Sequence, residues 1–244
     1  MPEFQEQAYR QLKLSDGRAL IFNPIINETN REPWEAHSVE NVKILNDTSL
    51  IKRACETCRI VADGIFMVGG GDNTGLAPGA RYNTTMVPEL QVSPIEGNSK
   101  AIMFNLNSEK NRQRALDGML YYMVPALTAI LHLVQNSDLR PRLILFYPVF
   151  NNFRKQLVVG SISIVFSWDG VLKKLLPSYI NGIVCVIRTN IGQSYTFLVN
   201  GDDVKVIGKS DLHDPLYDSM IYTVDGSVEG TEDGKLGVVD NFTN

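Results

Sequence analysis

A chain of 244 residues with 44% hydrophobic and 20% charged side chains can bury one sizeable core or two small ones, which excludes a disordered protein. Its formal net charge of −4 supplies no basic field of the kind that holds nucleic acid. The opening MPEFQEQAYRQLKL has no apolar core, so no signal peptide is read there, and the 3 cysteines cannot all pair within one chain.

In chain order, residues 3–14 predict a short amphipathic helix ended by Ser15-Asp16-Gly17, and residues 19–26 an apolar strand interrupted by Pro24. Thr29 and Asn30 are suited to cap a helix starting near Arg31. The stripe Trp34, Ser38, Val42, Leu45, Ile51, Ala54, Cys58, Val61 then predicts one long helix, or two broken near Asn46-Asp47, along the side of a sheet. Cys55 and Cys58 have the spacing of half a zinc site, but no second pair exists; they read as small residues facing a core.

From residue 63 to 79 the chain is glycine-rich. Gly69-Gly70-Gly71 lacks the Gly-Lys-Ser/Thr ending of a nucleotide loop and the spacing of a dinucleotide fingerprint, so the stretch reads as a surface loop. Residues 84–95 look extended and 100–106 predict a short apolar strand. Leu116, Leu120, Met123, Leu127, Ile130 and Val134 recur at helical spacing and predict a buried helix; its apolar run contains Pro125 and falls short of the roughly 20 residues a bilayer needs.

The clearest strands follow. Residues 143–150 are apolar on both alternating faces, and residues 157–166 set Ile162, Ile164 and Phe166 opposite Ser161, Ser163 and Val165, so that one face is core and the other wetter. The polar turn between them suits adjacent antiparallel strands. A helical turn over 171–176 is stopped by Pro177, and strands over 183–188, 195–199 and 204–207 follow, the last two joined at Asn200-Gly201. From Asp225 onward the composition is Gly, Asp and Glu with little to bury, and a mobile tail is expected.

Candidates for chemistry are few. His37, His132 and His213 show no triad or metal spacing, so no catalytic residue, metal or cofactor is assigned. In Ser210-Asp211-Leu212-His213-Asp214-Pro215, a turn in which Asp211 and Asp214 bond backbone N–H groups is preferred over a divalent-cation site. Asn27, Asn46, Asn83 and Asn241 begin N-x-[S/T] sequons; as glycosylation candidates they suit an extracellular location.

The strings Tyr147-Pro148-Val149-Phe150, VGSISIVFSWD (159–169), NGIVCVI (181–187), GQSYTF (192–197) and GKSDLHDP (208–215), preceded by NPII (23–26) and REPWE (31–35), resemble the extracellular CHASE-like sensor region of receptor-type nucleotide cyclases from microbial eukaryotes. The resemblance implies an α/β (α+β) fold in which a long N-terminal helix packs on PAS/Cache-like antiparallel sheets, with a small-molecule pocket in the membrane-distal one. The expected divisions are an N-terminal helical segment (1–62), a membrane-distal sensor subdomain (63–176), a smaller β-rich subdomain (177–224) and the tail (225–244). Tyr147, Phe166 and Trp168 are the expected aromatic walls of the pocket, with Arg81 as an anion partner from a loop. The expected function is ligand sensing at the extracellular face of a membrane, controlling a nucleotide cyclase, with the chain itself not an enzyme. Any membrane contact is expected to run through segments outside this chain. The alternative is a non-catalytic interaction domain of the same fold that dimerises through residues 31–62. Ile191 stands where relatives are expected to carry a cysteine partner for Cys185, which removes that disulfide.

Overall fold

The computed structural model describes residues 2–47, 64–68, 76–78, 85–131, 133, 140–152, 157–189, 191–220, 224–225 and 241–242. They fall into two compact units that meet in the chain between Ser167 and Trp168. Cys55, Cys58, Arg81 and Asn83 lie outside the described residues.

The first unit is built on five antiparallel strands. Helix α1 (Pro2–Ser15) ends where Asp16 takes a left-handed φ of 60° and Gly17 lets the chain pass close to the sheet. A Cβ on Gly17 would lie 2.7 Å from Cγ2 of Ile164, so glycine is needed for that approach. β1 (Ala19–Pro24) follows. Asn27 then caps a short turn over Glu28–Asn30, its side chain accepting from the Asn30 N–H at 3.0 Å while Asn30 bonds back. That turn runs into α2 (Arg31–Asp47). Within the glycine-rich stretch β2 (Phe66–Val68) pairs with β3 (Leu76–Pro78). β4 (Gln91–Ser93), α3 (Lys110–Tyr122), β5 (Ala126–Leu127), β6 (Arg142–Phe150) and β7 (Val158–Ser167) complete the unit. The sheet order is β4-β1-β7-β6-β5, with the two longest strands, β6 and β7, paired side by side as their patterns predict.

Two apolar runs are not what their patterns suggest. Residues 100–106 form no strand: a 3-10 turn over Ser99–Ala101 leads to Met103 with φ 74°, and Ile102, Met103, Phe104 and Leu106 are buried as plugs of the core. The predicted helix through Val134 stops at Tyr122, because Met123 turns left-handed (φ 57°) and Pro125 has no N–H to continue the ladder. The apolar residues beyond it serve β5 and a bridge from Leu131 to Arg142.

Register decides which face of the sheet is core. Tyr147 pairs with Ile162 and Leu143 with Phe166, while Phe146 pairs with Ser163 and Ile144 with Val165. The second set, with Ile21 of β1 and Val92 of β4, packs against Ala115, Leu116 and Met119 of α3 in one hydrophobic cluster. Ser161, Ser163 and Val165 therefore point inward and are fully buried, while Ile162, Ile164 and Phe166 lie on the partly exposed face. Hydrophobicity alone would orient β7 the other way; the polar face is the inner one.

In the second unit α4 (Trp168–Leu175) packs on a three-stranded antiparallel sheet, order β10-β9-β8, of β8 (Ile183–Arg188), β9 (Ser194–Asn200) and β10 (Asp203–Gly208). Asn200 pairs with Asp203, so the hairpin turn is centred on Gly201-Asp202 with glycine first (φ 56°), the pattern of a type II′ turn rather than one with two positive φ angles at Asn200-Gly201. A short pair, β11 (Val224–Asp225) and β12 (Asn241–Phe242), lies further along the chain. Among the described residues no helix is long and apolar enough to cross a membrane.

Candidate functional site

The inward polar face of the first sheet is the most unusual feature of its core. Asn23 on β1 pairs in register with Ser161 on β7, and Ser163 is its diagonal neighbour, within reach of a side chain. Its Nδ2 donates to Ser163 Oγ at 2.8 Å and to Ser161 Oγ at 3.2 Å, and all three residues are 0% exposed. Gly160 lets the two strands close up here, since a Cβ on it would lie 2.9 Å from the Asn23 carbonyl oxygen. The Asn23 Oδ1 is buried and has no hydrogen-bond partner among the described residues. An orphan acceptor of this kind costs about 1–3 kcal/mol, so a sequence selected for stability alone has reason to discard it.

A second polar group lies at the start of α3. Glu109 caps the helix, accepting from the N–H groups of Asn111 and Arg112 at 3.1 Å each, and its carboxylate also receives Arg112 Nη1 at 3.1 Å. Arg112 is 3% exposed, with its guanidinium 5.6 Å from the centre of the Phe104 ring. Glu89 arrives from the chain before β4, held by its N–H to the Phe104 carbonyl (3.0 Å) and by its own carbonyl, which accepts from Met103 N–H (2.8 Å). Its carboxyl is 5% exposed, and Oε2 has no partner among the described residues. Burial pushes the Glu89 carboxyl up to about 8, with the Arg112 charge opposing. Glu89 therefore carries a proton at neutral pH and can both donate and accept. Burial pushes Arg112 down, and Glu109 and Glu89 hold it up.

The loop that brings these groups under the sheet is fastened by amides. Asn105 Oδ1 accepts from the Val87 N–H (2.9 Å), and Asn107 Nδ2 donates to the Thr85 carbonyl (2.6 Å). The carboxylate of Glu35 on α2 accepts from Arg31 and from the Ile65 N–H, at 3.0 and 2.9 Å.

Of the residues singled out as pocket walls, two belong to the first unit and one to the second. Tyr147 is 53% exposed and Phe166 half-buried; both lie on the outer face of the first sheet. They are four register steps apart, about 13 Å along the strands. Trp168 opens α4 in the second unit, with its indole nitrogen buried. Asn27 is exposed with its carbonyl oxygen engaged in the cap; Asn46 falls within α2 and Asn241 within β12. Cys185 is a free thiol on β8, and burial pushes its pKa up. Asp211 and Asp214 do bond the N–H groups two residues on, at 3.1 and 3.0 Å, as the turn reading of that segment expects. Residue reading missed Asn23, Ser161, Ser163, Glu89 and Arg112. The available signals were an asparagine inside an apolar strand, a Ser-x-Ser alternation and one carboxylate in an extended apolar stretch.

These features define a mixed α/β domain built on antiparallel sheet, with polar groups held inside it and no grouping of metal ligands among the described residues. A sequence model of the CHASE domain matches residues 3–190, all but the first two residues of the first unit and part of the second, and the chain belongs to the CHASE domain family. CHASE domains are sensory, non-catalytic domains of signalling receptors, typically extracellular. No curated protein matches the chain.

Proposed function

We propose that this CHASE domain senses a small molecule at the extracellular face of a membrane receptor, and that the receptor's output is nucleotide cyclisation. The observation that carries the ligand reading is the buried set Asn23–Ser161–Ser163, which keeps an unpartnered acceptor on the inner face of the central strands. Ligand sites are mostly apolar with a few placed polar groups, and the inner face has that composition. Glu89 adds a neutral carboxyl to the same core. The strand order β4-β1-β7-β6-β5, with a helix over one face, supports a PAS-like reading of the first unit. A ligand that prefers one arrangement of β1, β7 and the covering segment shifts the population toward it by no more than its differential affinity. The cyclase output rests on the resemblance of the 141–215 region and of residues 23–35 to receptor-type cyclases.

A thermal-shift screen of small uncharged metabolites tests the ligand. A binder raises the melting temperature with the logarithm of its concentration, and the rise disappears in Asn23→Ala. Tyr147→Ala and Phe166→Ala separate a site on the outer face from one on the inner. If no compound shifts the protein while it dimerises tightly through residues 31–62, an interaction domain is the better reading. Nucleotide turnover by the chain alone would sink both. The output is tested in the coding sequence on either side of this chain, where an apolar helix of about 20 residues and a cyclase-like domain are expected.

A further inference from the structure

The second unit carries a charged cluster of which Asp211, His213 and Asp218 lie beyond the stretch that matches the CHASE domain and Arg188 at its end. After β10 the chain folds back along the sheet, where Thr196 of β9 donates its hydroxyl to the Ser210 carbonyl (2.7 Å) and accepts from the Leu212 N–H (3.1 Å). This places Asp211. One of its carboxylate oxygens is bonded by Arg188 of β8; the other accepts from the His213 N–H (3.1 Å) and lies 2.6 Å from His213 Nδ1. The second ring nitrogen, Nε2, is 2.7 Å from a carboxylate oxygen of Asp218, inside the 3-10 turn Pro215–Met220.

A neutral imidazole has one ring N–H and can donate to one carboxylate only; its other nitrogen then turns a lone pair toward the second. Two contacts of hydrogen-bond length between ionised carboxylates and the two ring nitrogens therefore call for the imidazolium. Asp211 and then Asp218 stabilise that charge and push His213 above its ordinary value of 6.5. Burial pushes Asp211 up, but the bonds from His213 and Arg188 outweigh it and hold the carboxyl down at about 2. The other charged groups nearby are accounted for. Asp214 accepts the Leu216 N–H, Lys205 and Asp203 of β10 pair with each other at 2.6 Å, Lys209 precedes the cluster, and β9 contributes the neutral Thr196.

We propose that His213 is a proton-operated latch: its imidazolium ties the turn Pro215–Met220 to the β8–β9–β10 sheet, and loss of the ring proton releases Asp218 and frees that turn. The latch is closed while the ring holds its proton, and it opens as pH rises through the raised value of His213. At 37% side-chain exposure the ring exchanges protons freely with solvent.

The test is an NMR titration of the whole chain, with His213 assigned by its absence in His213→Gln. The expected result is a ring midpoint above 6.5, with the amides of Leu216 and Asp218 shifting at the same midpoint. His213→Gln abolishes the amide shifts while the rest of the spectrum stays folded. Asp218→Asn lowers the ring midpoint and leaves the amides without a transition. A midpoint at or below 6.5, amides that do not follow the ring, or an Asp218→Asn midpoint equal to that of the parent overturns the latch.

Discussion

The two units place the same kinds of residue on opposite sides of their sheets. In the first, Asn23, two serines, Glu89 and Arg112 are inside, away from water, and each must be satisfied by the protein or remain a cost. In the second, Arg188, Asp211, His213 and Asp218 lie outside over the sheet, where water screens them and protons come and go. Burial makes the first set structural and sensitive to what fills the core; exposure makes the second responsive to pH at little structural expense. A domain that reports on a ligand and on its surroundings can keep the two functions in these two settings.

The largest expected effect is on the buried side. Arg112→Ala removes the buried partner of Glu109 and the cation over Phe104, and should cost about 3–5 kcal/mol in urea denaturation. Arg188→Ala removes the ion pair with Asp211 at the surface and should cost at most about 1 kcal/mol. Equal losses would mean that exposure does not separate the two units.

Glu89 gives the next effect, and its sign follows from the raised pKa. The folded protein keeps a proton that the unfolded chain releases above about 4.5, so this contribution to stability is complete below that pH and is lost as pH rises through about 8. Glu89→Gln cannot ionise. Its stability should stay level where the parent declines, leaving a gap of about 4–5 kcal/mol above pH 8. Parallel stability curves between pH 5 and 9 would show that Glu89 is charged in the fold. In the second unit the turn is the weak point: at Gly201 (φ 56°) a Cβ would lie 2.3 Å from the Ser178 carbonyl oxygen. Gly201→Ala should cost about 1–3 kcal/mol, read as lower hydrogen-exchange protection in β9 and β10.

Much of the frame was legible because period and punctuation are local properties. The β6–β7 pair, the three strands of the second unit and the end of α1 at Asp16-Gly17 follow from alternation and glycine placement. The failures share a cause. Ile102, Met103, Phe104, Leu106, Ile130 and Leu131 are apolar because they are buried, and burial does not state which backbone conformation achieves it. On β7 alternation identified two faces but not which is inner, because that depends on Asn23, distant in sequence, supplying donors to both serines. The site was hidden for the same reason: its members come from β1, β7, the chain before β4 and the first turn of α3, and only the fold brings them into one core.

The smallest expected change in stability is also the one that bears most directly on function. Asn23→Leu removes the orphan Oδ1, which is favourable, and the donor shared by Ser161 and Ser163, which is not. Leucine is close in volume and the surrounding strands are apolar, so the two terms should nearly cancel and leave stability within about 1 kcal/mol of the parent. If the set is kept for a ligand, the variant should unfold like the parent yet lose the ligand's thermal shift entirely. A variant that loses several kcal/mol instead would make Asn23 a structural clamp between β1 and β7. A stable variant that keeps the full thermal shift would move the binding site off the inner face, and the outer face with Tyr147 and Phe166 would be the next to change.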